Sequence, residues 1–188
     1  NDKVNNMTRI KVNIPEGVSG DFEIAHYTNQ TTNKDWQEYL KMKNENHEEY
    51  CVLLSKTCPM PLMQDSTAEY KEHTWLWENA AGHVFIGGLG IGMVNEFLMN
   101  SPNVTAVTII ENSQDVIDLV WPHCPKDDTF TLVKADIETW VPPKGTWFDT
   151  MWFDTWLVDN PIGQMDYVFS MISRYKDYTR NMGFWGGI

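Results

Sequence analysis

The pattern of apolar and polar positions divides the chain near Gly82. Ahead of it, Arg9-Ile10-Lys11-Val12-Asn13-Ile14 and Asp21-Phe22-Glu23-Ile24-Ala25-His26-Tyr27 alternate with the period of half-buried strands. Pro15-Glu16-Gly17 breaks them apart, and the two read together as a hairpin. Lys34 to Met42 reads as a helix with Trp36, Tyr39 and Leu40 on one face. Tyr50 to Ser55 is a third strand, and Cys58 to Asp65, marked by Pro59 and Pro61, a rigid loop. Ser66 or Thr67 then caps one helix running to Asn79, with Tyr70, Trp75 and Leu76 inward and Ala81-Gly82 closing it.

Beyond Gly82 the pattern becomes β/α alternation. His83-Val84-Phe85-Ile86 is a short buried strand that runs into Gly87-Gly88-Leu89-Gly90-Ile91-Gly92. A helical pattern follows through Met93, Val94, Phe97 and Leu98. Val104 to Ile110 is the second strand and ends on Glu111. Ser113 caps a helix with Val116, Ile117, Leu119 and Val120 on its core side, which Pro122 and Pro125 end. Thr129 to Val133 is a third strand, followed by Asp136, and Trp147 to Phe153 a fourth, ending at Asp154. Asn160-Pro161 opens a last helix through Met165, Val168, Phe169, Ile172 and Tyr175. No strand pattern remains after Asp154. A four-stranded parallel sheet is thin, so the N-terminal strands extend it or form a lobe of their own, or a second copy of the chain covers its edge. The expected organisation is residues 1–62 as a β-rich N-terminal lobe and 63–188 as an α/β core, in one compact whole.

Composition narrows the function classes. The chain has 188 residues, 42% hydrophobic and 13% aromatic, as a folded globular protein requires. A net charge of −12 argues against a nucleic-acid partner, which needs a basic stripe to neutralise phosphates. A small-molecule substrate is compatible with it. Three scattered cysteines with no CxxC, and five histidines with no HExxH, give no metal site. No secretory apolar segment and no bilayer-length run is seen, so no membrane partner is expected and the location read is cytoplasmic.

The candidate chemistry gathers at the ends of the later strands. A strand, a glycine turn, a helix and a second strand capped by an acid is an arrangement that holds nucleotide-type ligands. Gly88, Gly90 and Gly92 fall at every second position. The dinucleotide fingerprint G-x-G-x-x-G would need its third glycine at Met93, so that reading loses ground. Glu111 is placed to accept both hydroxyls of a ribose. Asp136 can meet the exocyclic amine of an adenine, with Ile137 against the ring, or N-cap a helix running from Ile137 to Trp140. Asp154 can orient or deprotonate a nucleophile, or cap its own loop. His73, next to Glu72 on the helix ahead of the turn, reads as a surface or core residue, with catalysis the lesser alternative.

Ile86 to Gly92, Thr108 to Ile117, Ala135-Asp136 and Phe148 to Asp154 together resemble class I S-adenosylmethionine-dependent methyltransferases, most of all the spermidine-synthase-like branch. Gln64 to Glu69 resembles that branch's Gln-rich entry segment. The resemblance covers residues 62–160 and implies a Rossmann-like methyltransferase core, with a C-terminally truncated parallel sheet and a small N-terminal β-containing lobe. It implies S-adenosylmethionine (SAM) as cofactor. Gly88, Gly90 and Gly92 would approach its methionine part, Glu111 would hold the ribose, and Asp136 and Ile137 would frame the adenine. Gln64 would lie near the sulfonium or carboxylate end, and Asp154 would act on the acceptor. Gly90 stands where spermidine synthases carry an acid, and Leu157 where they carry a second one. Methyl transfer to a small molecule is therefore the expected reaction. The alternatives are aminopropyl transfer, cleavage of the cofactor, and a non-catalytic binding or assembly protein.

Overall fold

A computed structural model describes residues 9–155 and 161–186. The chain forms two compact units. One comprises Asn1–Glu72, Gly90–Phe97 and Asp115–Pro125; the other, His73–Leu89, Leu98–Gln114 and Lys126–Ile188.

The first unit is built on an antiparallel sheet of β1 (Gly17–Ser19), β2 (Phe22–Thr28), β3 (Glu49–Ser55) and β4 (Cys58–Gln64), in the order β1-β2-β3-β4. Helix α1 (Lys34–Met42) begins at Asn33, whose Oδ1 accepts from the Trp36 N–H at 3.0 Å. Trp36 is fully buried with Ala25, Leu40, Tyr50 and Val52. Its ring stacks on Tyr39 and meets Tyr27 and Tyr50 edge-on, and its Nε1–H donates to the Thr28 carbonyl. Arg9 to Ile14 is not a strand. The buried Asp65 carboxylate holds this segment instead, accepting from the Val12 N–H at 3.1 Å and the Cys51 N–H at 2.8 Å, with Arg9 Nη2 3.1 Å away. The predicted loop at Cys58 is β4, paired with β3.

The second unit carries a parallel sheet of β5 (Gly82–Gly87), β6 (Val104–Glu111), β7 (Phe130–Lys134), β8 (Thr150–Phe153) and β9 (Met182–Phe184). Their order is β7-β6-β5-β8-β9, a Rossmann-like 3-2-1-4-5 arrangement. β5 and β6 form here because their runs of Val, Ile and Phe suit strands buried on both faces. The fifth strand corrects the four-strand expectation: β9 pairs Met182, Gly183 and Phe184 with Met151, Trp152 and Phe153.

Alternation along β8 sorts the helices of this unit. Met151 and Phe153 pack with Phe85, Ile137 and Phe148 against Val168, Met171 and Tyr175 of α6 (Pro161–Tyr175). Trp152 points the other way, stacked on Trp75 of α3 (Thr74–Asn79) at 6.1 Å and tilted against His73 at 5.3 Å. The single helix expected from Thr67 to Asn79 is two, α2 (Thr67–Glu72) and α3, broken at His73 (φ −98°, ψ 7°). Helices α4 (Met93–Met99) and α5 (Gln114–Val120) follow β5 and β6 in the chain.

Candidate functional site

From β5 the chain moves through β6 to β7 on one side, then returns to lay β8 and β9 on the other. The order reverses between β5 and β8. In open α/β sheets, ligands bind in the crevice at the carboxyl ends of the strands beside such a switch point.

The two strand ends there are bonded to each other. The Asp154 N–H donates to the Gly87 carbonyl at 2.9 Å, and the Gly88 N–H donates to the Ile110 carbonyl at 2.8 Å. Gly88 has φ +105°, and a Cβ on it would stand 2.7 Å from the Asp154 carbonyl oxygen. Only glycine satisfies both the backbone and that approach.

Glu111 ends β6, half-buried. Its Oε1 accepts from the Leu89 N–H at 3.1 Å and its Oε2 from the Ser113 N–H at 2.9 Å. Each carboxylate oxygen has two acceptor positions, so two hydroxyl donors can still be received. Asp136, exposed after β7, turns its Oδ1 back to the Glu138 N–H at 2.8 Å, and its carbonyl accepts from Thr139 and Trp140. It closes a turn over residues 137–139, where the capping alternative expected a helix. Ile137 is buried, its side chain filling the space where a Cβ on Gly87 would stand.

Asp154 lies at the end of β8 with its side chain 26% exposed. One oxygen, Oδ2, is 3.4 Å from Nε2 of His73, which has no exposed surface. Thr155 and Tyr167 touch through their hydroxyls close by. Burial, with the charges of Asp154 and Glu138, pushes the Tyr167 hydroxyl well above its ordinary value, so it remains a neutral donor.

The second unit thus brings Gly88, Glu111, Asp136, Ile137 and Asp154 to the carboxyl ends of its strands. The other predicted residues belong to the first unit. Gly90 (φ +55°) and Gly92 (φ +73°) turn their missing side chains towards Met63 and Cys124 respectively. Gln64 is buried and donates through Nε2 to the Tyr39 hydroxyl at 3.0 Å and to Glu69 Oε2 at 3.4 Å. Leu157 and Asp159 lie outside the described residues. His73, which the sequence reads as a surface or core residue, is fully buried and faces Asp154. Its signal was there in retrospect: a polar residue on the inward side of a helix otherwise lined by Tyr70, Trp75 and Leu76.

No protein-family model matches the chain, and no curated protein matches it. Solved structures with a similar backbone include the N-methyltransferase NodS from Bradyrhizobium japonicum WM9 in complex with S-adenosyl-L-homocysteine (SAH). It is 14% identical at a TM-score of 0.46, over 62% of this chain and 59% of NodS. The plantazolicin methyltransferase BpumL in complex with SAH is 15% identical at a TM-score of 0.42, over 62% of this chain and 44% of BpumL. A human methyltransferase 10 domain-containing protein is 13% identical at 0.42, over 58% and 59%. The chain spans about 60% or less of the length of each of these proteins. At these scores the likeness carries no weight of its own, and the Rossmann-like fold rests on the strand order. Among the described residues, no helix is long and apolar enough to cross a membrane.

Proposed function

We propose that this protein is a SAM-dependent methyltransferase acting on a small molecule. The observation that carries the reading is Glu111. Its carboxylate, at the end of the strand beside the switch-point strand, is tied to the glycine turn by the Leu89 N–H and keeps acceptor capacity for two ribose hydroxyls. An adenosine held this way needs no diphosphate cradle, in line with the missing third glycine of a dinucleotide turn. Asp136 and Ile137 follow the next strand, where the adenine would be framed.

Bound SAM supplies an activated methyl group. The chain's contribution is then placement, because holding a nucleophile in line with that group removes much of the barrier. Asp154, next to Gly88, is the residue to orient the acceptor and receive its proton. A net charge of −12 disfavours a polyanionic acceptor and suits a small one. Cys51, Cys58 and Cys124 are free thiols, and the cytoplasm is the compartment we assign.

Calorimetric titration of the full chain with SAM and with SAH tests the reading. Saturable binding of both is expected. Folded protein that binds neither overturns it, and release of methylthioadenosine without an added acceptor overturns the methyl-transfer part.

A further inference from the structure

His73 is a buried histidine aimed at Asp154, the residue that follows β8 at the carboxyl end of the sheet. Its imidazole has no exposed surface. It stacks on Trp77 at 5.3 Å with an 18° angle between planes, and leans on Trp152 at the same distance. Those two rings fix the plane of the imidazole and leave rotation about its own axis strongly hindered. The break between α2 and α3 falls on this residue, and its carbonyl accepts from the Trp77 N–H at 3.1 Å. Backbone and ring are thus both held, and the held ring presents Nε2 to Asp154 Oδ2 at 3.4 Å, an ion-pair distance outside hydrogen-bond geometry that a small turn of the carboxylate would close.

Asp154 needs such a partner. Its backbone is anchored by the hydrogen bond to Gly87, but a carboxylate at a strand end can still swing about its side-chain bonds. A base must meet the proton it accepts within hydrogen-bond reach, and pairs that are long in the free enzyme tighten when the ligand arrives. We infer that His73 is a positioning residue for Asp154: its Nε2–H holds Oδ2, so that Oδ1 is presented to the acceptor as the proton-receiving atom. Aromatic walls make His73 a fixed post, and the partly exposed Asp154 the part that meets substrate. The pairing stands on the geometry alone; the role of Oδ1 rests on the methyltransferase reading.

Two measurements on the full chain separate those parts. The first is 15N NMR of histidine-labelled protein. Nε2 of His73 is expected to read as protonated, and Asp154→Asn is expected to move its resonance while leaving the other four histidines in place. An unprotonated Nε2, or a resonance indifferent to Asp154→Asn, overturns the pairing. The second follows methyl-labelled SAM incubated with a total small-molecule extract. His73→Gln, which keeps an N–H donor, is expected to retain the rate within about threefold. His73→Phe is expected to lose about tenfold or more in kcat with KM for SAM unchanged, part of the roughly 10²–10⁴-fold that general-base catalysis contributes. The His73→Phe/Asp154→Asn double variant is expected to be no slower than Asp154→Asn alone, since the two act as a unit. Multiplying losses, or a change confined to KM, overturn the positioning role. Wild-type protein that neither binds SAM nor transfers the label defeats the methyltransferase reading, and the NMR result then decides the pairing by itself.

Discussion

Glu111 accepts the Leu89 N–H at 3.1 Å, so a carboxylate from the second strand of the parallel sheet holds the turn that leaves the first. The acid braces the turn, and under the proposed function its remaining lone pairs receive the ribose hydroxyls.

Glu111→Ala is expected to weaken SAM binding by about 1.5–3 kcal/mol, the scale of hydrogen bonds to a charged group. Glu111→Gln keeps one acceptor oxygen for the Leu89 N–H and should lose less. Calorimetry on both variants checks this; equal affinity for wild type and Glu111→Ala would reduce the residue to a brace.

Gly183 lies against the face of Trp75, and a Cβ there would overlap the indole. The edge strand β9 can pair with β8 only because this position has no side chain. Gly183→Ala should lower stability by about 1–3 kcal/mol, the usual cost of overpacking, read from urea unfolding. Adding Trp75→Leu should recover part of that loss, because residues in contact couple. A fully additive double variant would place the cost elsewhere.

Burial, reinforced by the Asp65 charge, pushes the Cys51 thiol up to about 12. The thiolate is the reactive form, so Cys51 should resist alkylation in native protein well into the alkaline range. Cys124 is buried too, whereas Cys58 is partly exposed. Mass spectrometry after brief alkylation should find the label on Cys58 alone, with Cys51 and Cys124 modified only in denaturant.

Burial also holds His83 below its ordinary value, with the Asp149 charge pulling the other way. The unfolded chain then binds this proton more readily than the folded one. Stability associated with neutral His83 is present above the unfolded value of 6.5 and is lost as pH falls from there through the folded value. His47 is shifted in the same direction by burial and by Arg9. The urea midpoint should therefore fall between about pH 7.5 and pH 5. His83→Gln should flatten that fall without abolishing it, and an unchanged slope would remove His83 from the account.

The elements that could be read from the sequence are those whose burial leaves a continuous trace. β5 and β6 are built mainly on runs of Val, Ile, Phe and Thr, and Glu111 ends the second where the sequence placed it. Where the trace failed, the cause is particular. Pro59 and Pro61 disguised β4, yet β4 is an edge strand with one neighbour, where a missing N–H is tolerated. Val12 and Ile14 are buried while Lys11 and Asn13 are exposed, so the alternation was real. It reported burial and not pairing, because a side chain, Asp65, took the backbone donor. The break at His73 takes a single residue between Glu72 and Thr74, too short to interrupt the helical pattern on either side. β9 has three residues and no period, and Gly183 makes sense only once Trp75 is in place.

Because all five strands of the sheet point the same way, the loops that lead into them collect at the opposite end from Glu111, Asp136 and Asp154. Pro102-Asn103, Asp127-Asp128 and Lys144-Gly145 are exposed on that side, and a side chain added at Gly145 would meet nothing within 4 Å. Chemistry and chain tolerance are thus segregated by strand direction. A spectroscopic label or a tether to a surface belongs at Lys144-Gly145, where it can report on the protein or immobilise it at the end opposite the proposed ligand site.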